Sequence, residues 1–332
     1  ILDEIATTVR GRVPHRHIHL LLENEENEAS WLERGTGGRA TRFTAQWNDD
    51  VHHVLHAAAT GENSGYYQDY LGDDHKLGRA LAEGFAFRGE HMQLRGSARG
   101  EPCAHLPPQA FVAFIQNHDQ IGNRAFGERL SEIATAEAVR AAAAVYLLLP
   151  QIPMLFMGEE WSAAQPFAFF CDFQGELADA VRNGRRAEFA RFPEFEDPQQ
   201  RERIPDPQAE TTFTSAKLEW DVLARAEHRT WLEWYRRILS VRQREIVPRL
   251  DVIHANSGEF EVLGPSALTV RWHVGANEIL TLCANLCHNP VEGIELPRGS
   301  VLWHEGDTGD GTRLMPWTVY WTLTVTGPDP ES

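Results

Sequence analysis

The stretch FVAFIQNHDQ at residues 111–120 joins a short apolar run to a polar end, and it decides the fold. Three more runs have the same form, and each is followed by a helical pattern. Strands that alternate with helices predict parallel βα units, whose carboxyl ends form the catalytic face of a βα barrel. The other runs are HIHLLL at 17–22 before Glu23, RFTAQW at 42–47 before Asn48-Asp49-Asp50, and IPMLFM at 152–157 before Gly158-Glu159-Glu160.

The number of these units and the pattern beyond residue 248 predict the fold class and the domains. A closed (β/α)₈ barrel needs eight βα units, and the sequence contains four. We therefore predict an α/β fold: the C-terminal half of a (β/α)₈ TIM barrel with long loops over residues 1–248, then a small all-β C-terminal domain over 249–332. The underlying patterns are helical at 77–87, 134–149 and 230–246, and of period two at 267–272, 279–282 and 317–325.

The chain begins within a helical pattern. Ile1, Ile5 and Val9 recur at helical spacing, and no capping residue precedes them. Together with the four βα units, this pattern leads us to expect that the chain is the later part of a longer enzyme.

The composition excludes several classes of function. The chain has 332 residues, with 31 Lys and Arg against 48 Asp and Glu, so its formal net charge is −17. An acidic chain without a basic cluster argues against nucleic-acid partners and against anionic membranes. The longest apolar stretch, residues 141–157, is interrupted by Pro150 and Pro153, which predicts a buried helix and a strand rather than a membrane span.

The cysteines predict free thiols in a reducing compartment. This thiol pattern, together with the family resemblance given below, predicts a cytoplasmic location. Cys103, Cys171, Cys283 and Cys287 show no metal-finger spacing. Four residues of strand would separate Cys283 from Cys287 by roughly 13 Å, which is too far for a disulfide unless the chain turns between them.

Two carboxylates that follow predicted strands indicate sugar chemistry. Glycoside hydrolysis needs one group that protonates the leaving oxygen and another that stabilises the oxocarbenium-like carbon. Glu23 and Asp119 could supply these groups, and His118 could hydrogen-bond a sugar hydroxyl beside Asp119. Glu23 alone is a weak signal, because an acidic run usually forms a solvated face, and Glu25, Glu26 and Glu28 follow it.

The end of the second strand offers candidates for sugar subsites. Trp47 could stack on a sugar face, while Asp50 and His53 could bind hydroxyls. The alternative is structural, with Trp47 covering the barrel core and the histidines satisfying buried groups. His52 and His56 lie four residues apart, but no further ligand stands at fitting spacing, so we predict no metal. No glycine-rich phosphate loop precedes a helix, so we predict no cofactor.

Several of these stretches resemble one known family. QNHDQIGNR at 116–124, extended by AFGERL at 125–130, resembles the last signature region of the α-amylase clan. Within that clan the extended form is similar to the malto-oligosyltrehalose trehalohydrolases. The supporting stretches are LENE at 22–25, QWNDDVHH at 46–53, MLFMGEEW at 154–161 and FCDF at 170–173.

The resemblance implies a retaining glycoside hydrolase that cleaves the α-1,4 bond next to the trehalose unit of maltooligosyl trehalose, an α-1,4-glucan substrate. It gives Glu23 the position of the general acid/base and Asp119 that of the transition-state stabiliser, while His118 and Gln116 match substrate-binding positions. The family's Asp nucleophile lies upstream of Ile1, so we expect the isolated chain not to hydrolyse its substrate. Two alternatives remain open: a 1,4-α-glucan branching or debranching enzyme of the same clan, and an inactive glucan-binding piece.

Overall fold

The chain divides into two units. The computed structural model describes residues 1–190, 195, 197–307, 309 and 312–326. The first unit comprises Ile1–Ile115, Ala136–Met154 and Arg236–Ser332, and the second comprises Gln116–Thr135 and Leu155–Tyr235.

Short strands alternate with helices in the first half of the chain, and strands dominate after residue 258. In the described ranges, no helix is both long and apolar enough to cross a membrane. The strands are β1 (Leu21–Leu22), β2 (Ala45–Trp47), β3 (His91–Met92), β4 (Ser97–Ala98), β5 (Phe111–Ala113), β6 (Ile152–Pro153), β7 (Gly258–Gly264), β8 (Ala267–Val274), β9 (Glu278–Asn285), β10 (Val291–Glu292), β11 (Ser300–Glu305), β12 (Arg313–Leu314) and β13 (Thr318–Val325). The α-helices are α1 (Leu2–Arg12), α2 (Asp49–Thr60), α3 (Asp74–Ala82), α4 (His118–Gly122), α5 (Leu130–Ile133), α6 (Ala136–Leu148), α7 (Gly175–Phe189), α8 (Pro198–Glu202), α9 (Glu210–Ser215) and α10 (Ala226–Val241).

Four strands form a parallel sheet in the order β1-β2-β5-β6. Alternate side chains of a strand point to opposite faces. Phe111 therefore packs in one apolar cluster with Phe43 and Phe85, whereas Val112 packs in another with Phe114. Each neighbouring pair of strands is in register over two residues. The sheet confirms the predicted half of a (β/α)₈ barrel.

An antiparallel sheet of the order β11-β13-β9-β8-β7 follows and confirms the predicted all-β C-terminal part. Its centre contains two fully buried tryptophans, Trp272 on β8 and Trp321 on β13, whose rings stack with centroids 5.6 Å apart. The indole nitrogen of Trp321 donates to the carbonyl oxygen of Ala144 in helix α6 at 3.0 Å. Helix α6 therefore contributes to the core of the sheet as well as to the barrel.

Helix α10 continues as a π-helical turn (Arg242–Ile246) and a 3₁₀ helix (Val247–Val252). The sequence pattern places Arg242 off the apolar stripe of this helix, but the structure buries it. Its guanidinium donates to the carbonyl oxygens of Leu147, Leu149 and Gln151 at 2.6–2.9 Å, in the last turn of helix α6 and just beyond it. The domain boundary between residues 248 and 249 stays a prediction, since the chain is helical there and β7 begins at Gly258.

The second unit contains helices that the sequence pattern did not predict. Residues 159–229, where the sequence patterns predict no helix, contain α7, α8 and α9. Helix α7 is mostly exposed and polar, and it buries little more than Ala178, Arg185 and Phe189, so its apolar pattern is weak. Arg185 helps to fix it by donating to the carbonyl oxygens of Gly122 and Arg124.

Helix α3 approaches strand β7 closely at Gly78, and this contact yields a stability prediction. A Cβ on Gly78 would lie 2.1 Å from the ring of Phe260. Gly78→Ala should therefore lower the free energy of unfolding by about 1–3 kcal/mol through overpacking, although alanine favours helices. Urea unfolding followed by tryptophan fluorescence measures the change.

Gly184 in helix α7 is the matched control, because a Cβ there meets nothing within 4 Å. Gly184→Ala should raise the free energy of unfolding by about 0.5–1 kcal/mol. If both substitutions stabilise the protein equally, the close packing of α3 on β7 is wrong.

Candidate active site

Glu23 lies directly after strand β1 with its side chain exposed. Its acidic neighbours are engaged, since Glu26 forms an ion pair with Arg95 and Glu28 accepts a hydrogen bond from the Trp31 indole at 2.9 Å. Among the residues that the structure describes, Glu23 has neither a hydrogen-bond nor an ion-pair partner. The residues of the acidic run therefore differ in their contacts, and the Glu23 carboxylate is available to a ligand.

The loop after β1 is held by hydrogen bonds from polar side chains elsewhere in the first unit. Gln46 donates to the carbonyl oxygen of Asn24 at 2.8 Å and to the side chain of Asn27 at 3.0 Å. Arg99 donates from Nε to the carbonyl oxygen of Glu25 at 2.7 Å. These bonds restrict the backbone that follows the candidate acid, so its position at the strand end is well defined.

Asp50, a predicted sugar ligand, is fully buried and accepts four hydrogen bonds. The donors are the Asn27 amide at 3.0 Å, and the Tyr70 hydroxyl, the Ala86 amide and the Arg99 guanidinium at 2.7 Å each. A carboxylate with four donors and no exposed surface suits the structural alternative better than sugar binding. Its role in binding stays a prediction.

Burial alone would raise the pKa of Asp50, but the Arg99 cation, the Tyr70 hydroxyl and the Ala86 amide outweigh it. Together they hold the pKa of this carboxyl below its usual range. Burial and the neighbouring carboxylate also raise the pKa of Tyr70 well above its usual value, so the phenol keeps its proton. At neutral pH the cluster therefore contains one carboxylate and one guanidinium, held together with a neutral hydroxyl.

The other two candidates of the first unit, Trp47 and His53, make aromatic contacts. Half-buried Trp47 packs edge-on against Phe114, with ring centroids 6.1 Å apart. His53 stacks on Tyr70 at 4.7 Å. Burial and the Arg99 cation lower the pKa of His53 to about 3, so its ring is neutral at physiological pH. Both contacts favour the structural alternative, and sugar binding by these residues stays a prediction.

The neighbouring histidines form hydrogen bonds within the protein. His52 contacts the carbonyl oxygen of Ile115 through Nδ1 at 2.6 Å and the Tyr67 hydroxyl through Nε2 at 3.2 Å. His56 contacts Glu62 through Nε2 at 2.8 Å. Within the described part of the chain, no group of three or more His, Cys, Asp and Glu side chains could hold a metal ion.

In the second unit, a capped helix presents His118 and Asp119. The side-chain oxygen of Asn117 accepts from the amides of Asp119 at 2.8 Å and of Gln120 at 3.2 Å. This N-cap begins helix α4 and leaves the side chains of His118 and Asp119 exposed. Asn123 donates to Asp119 Oδ1 at 3.0 Å and restricts the rotation of the carboxylate. An imidazole and a carboxylate are thus exposed at two consecutive positions at the start of helix α4.

Gln116, another predicted substrate ligand, is buried and uses both ends of its amide within the protein. Its Nε2 donates to Glu159 at 3.3 Å, and its Oε1 accepts from the Leu130 amide at 3.1 Å. These contacts favour a structural role, and direct contact with substrate stays a prediction.

The structure divides the predicted site residues between the two units. Asp50 and His53 share one cluster, and Gln116, His118 and Asp119 follow one another along one turn. Arg99, Tyr70 and Glu159 were missed as partners of these residues, although Glu159 follows a predicted strand and could have been found from that signal. Glu23, Trp47, Asp50 and His53 lie in the first unit, and Gln116, His118 and Asp119 lie in the second.

Known proteins resemble this chain over most of its length. A family model described as a domain of unknown function, DUF3459, matches residues 255–321. Malto-oligosyltrehalose trehalohydrolase of Deinococcus radiodurans is 41% identical over 242 residues, which cover 71% of this chain and 38% of that protein. The protein of the same name from Mycobacterium tuberculosis is 36% identical over 300 residues, 88% of this chain and 49% of that protein.

The chain is also similar to a solved structure. The chain superimposes on a candidate α-amylase from Salmonella typhimurium with a TM-score of 0.89 and 41% identity, covering 97% of this chain and 54% of that one. The parallel sheet with acidic strand ends, the antiparallel sheet and this likeness define part of an α-amylase-type fold. Within that class, the chain is similar over 71% and 88% of its length to two malto-oligosyltrehalose trehalohydrolases. It spans 38–49% of the length of these two curated relatives.

The Asp50 cluster yields a prediction about stability. Asp50→Asn would remove the charge that compensates the buried guanidinium of Arg99 and would turn an amide donor toward other donors. The free energy of unfolding should fall by about 3–5 kcal/mol, as when one partner of a buried ion pair is removed. Asp3→Asn is the control, because the exposed pair of Asp3 with Arg42 should be worth less than about 1 kcal/mol. Equal losses for both variants in urea unfolding would contradict the role given to Asp50.

The lowered pKa of His53 predicts sensitivity to acid. Its pKa is about 3 in the folded protein and ordinarily 6.5, so between these values the unfolded chain binds more protons. The free energy of unfolding should therefore fall as the pH falls through this window, and Asp50 adds a further loss below its ordinary pKa of 3.8. His53→Gln should reduce the loss measured by urea unfolding between pH 7 and pH 5. An unchanged slope would show that His53 does not carry it.

Proposed function

We propose that the protein containing this chain is a glycoside hydrolase that cleaves the α-1,4-glucosidic bond next to the trehalose unit of maltooligosyl trehalose and releases trehalose. The named relatives support this reaction, since they match 71% and 88% of the chain at 41% and 36% identity. The proposed mechanism retains the anomeric configuration, and the proposed partner is the α-1,4-glucan substrate. The cytoplasmic location stays a prediction.

The observation that carries the proposal is the state of Glu23. A general acid must present its carboxyl to the glycosidic oxygen, deliver a proton and later accept one from water. Glu23 is exposed after strand β1, and the loop behind it is held by Gln46 and Arg99. We therefore assign the general acid/base to Glu23.

We assign stabilisation of the transition state to Asp119. Its carboxylate is exposed at the start of helix α4, and the hydrogen bond from Asn123 fixes one oxygen. Charge-assisted hydrogen bonds from sugar hydroxyls to such a carboxylate strengthen as the ring distorts toward the oxocarbenium ion. His118, the exposed neighbour, would bind an adjacent hydroxyl. The retaining mechanism also needs a nucleophile, for which we propose no residue of this chain.

The products distinguish this reaction from the alternatives within the clan. A trehalohydrolase releases free trehalose from maltooligosyl trehalose. A branching enzyme would form α-1,6 branch points in a linear α-1,4-glucan, and a debranching enzyme would release linear chains from a branched glucan. A glucan-binding piece without activity would release nothing, and chromatography of the products separates all four outcomes.

Substitution of Glu23 tests the acid/base assignment in the full-length protein that carries this chain. Glu23→Gln keeps the shape of the side chain but cannot deliver its proton. Trehalose release should fall by about 10²–10⁴-fold, the usual contribution of general acid–base catalysis. The measurement is the initial rate of trehalose formation from maltooligosyl trehalose.

Glu25→Gln is the matched control, because Glu25 is two residues away, its side chain is 81% exposed and its carboxylate lies 4.0 Å from Arg95. This variant should keep the full rate. Unchanged trehalose release in Glu23→Gln, or equal losses in both variants, would refute the assignment.

A further inference from the structure

Glu159 is a buried carboxylate in the second unit, and the proposed reaction does not yet account for it. It follows strand β6 in the short helix Glu159–Trp161, and only 5% of its surface is exposed. Its carboxylate accepts from the Tyr235 hydroxyl at 2.9 Å and from Nε2 of Gln116 at 3.3 Å. Moving a carboxylate out of water costs free energy, so a buried carboxylate requires compensating hydrogen bonds and is often functional.

The segment that carries Glu159 is itself rigidly held. The buried side chain of Arg129 donates to the carbonyl oxygens of Met157 at 2.9 Å and of Gln165 at 2.6 Å, on both sides of Glu159. Gly158 adopts a positive φ of 83°, and a Cβ there would lie 2.7 Å from that of Ala163. The carboxylate of Glu159 is thus presented to its partners from a fixed backbone.

Gln116 transmits this fixed position to the candidate site. Its amide is oriented by two different partners, because Nε2 needs an acceptor, Glu159, and Oε1 needs a donor, the Leu130 amide. The next residue, Asn117, caps helix α4 through the amides of Asp119 and Gln120. Gln116 therefore fixes the chain one residue before the cap that sets the direction of Asp119.

We propose that Glu159 is a positioning residue, which acts through the amide of Gln116 to hold His118 and Asp119 in the orientation that the sugar requires. The inference rests on the proposed function for the roles of His118 and Asp119 in binding the sugar. The contacts that hold these two residues do not depend on that function. It also gives Gln116 a role as a relay between the buried carboxylate and the capped helix.

An exchange of the two side chains tests the relay in the full-length protein. Gln116→Glu alone would place two carboxylates where Gln116 and Glu159 now form a hydrogen bond of 3.3 Å. The double variant Gln116→Glu with Glu159→Gln restores the donor and the acceptor of this pair, because the new amide can donate to residue 116 and accept from Tyr235. It gives up the longer hydrogen bond of 3.4 Å that the Phe156 amide donates to Glu159. The charge of the pair is then unchanged.

Two readouts separate positioning from a general loss of stability. Steady-state kinetics on maltooligosyl trehalose should show kcat reduced by roughly 10–10²-fold in Gln116→Glu with a smaller change in KM, and recovery in the double variant, since misplacement of a reacting group lowers the rate of the chemical step. Hydrogen–deuterium exchange should be faster at residues 117–123 in Gln116→Glu and return to the wild-type rate in the double variant. Glu160→Gln removes the adjacent half-buried carboxylate and should change neither readout.

The outcomes distinguish this inference from the proposed function. If the double variant is no better than Gln116→Glu, or if exchange at residues 117–123 is the same in all variants, the positioning role is wrong. Should Gln116→Glu fail to fold, Glu159→Ala compared with Glu159→Gln gives the same test, with loss expected for alanine and partial retention for glutamine. If the wild-type protein releases no trehalose while the exchange rates follow the expected order, the proposed function fails and the positioning role stands.

Discussion

The hydrogen bonds accepted by the buried carboxylate of Asp50 hold together the segments at the polar end of the parallel sheet. The carboxylate collects donors from Asn27, Tyr70, Ala86 and Arg99, which come from four separate segments of the chain. Segments at strand ends have no sheet ladder of their own, so their backbone needs side-chain partners to be held in place. A charged acceptor in a buried setting provides strong, directional bonds for this purpose.

The architecture could be predicted from the sequence because its signals are local. The apolar run at 111–115 with its polar end, and the period-two pattern at 267–272, each identify their element without reference to the rest of the chain. Helix α7 could not be predicted, because it buries only a few side chains in a mostly polar face. The burial of Arg242 could not be predicted either, because its three acceptors lie 91–95 residues away in the sequence.

In the candidate site, too, the sequence indicates some residues but not the contacts of others. Glu23, His118 and Asp119 could be named as candidates because they lie in polar segments that follow apolar runs, and all three are exposed in the structure. The contacts of Asp50 and Gln116 could not be read from the sequence, because Arg99 is 49 residues from the first and Glu159 is 43 residues from the second. Residue type and spacing indicate which side chains are polar at a strand end, but only the fold determines whether such a side chain faces solvent or another part of the protein.

The hydrogen bond from the Trp321 indole to the carbonyl oxygen of Ala144 has a consequence for how this protein can evolve. The tryptophan belongs to the antiparallel sheet and its acceptor to a barrel helix, and a buried indole N–H that loses its acceptor is destabilising. Recombination that paired this sheet with a foreign barrel would have to recreate the acceptor at the same depth. We therefore expect the antiparallel sheet and helix α6 to be inherited together. Genetic recombination between the two should be selected against.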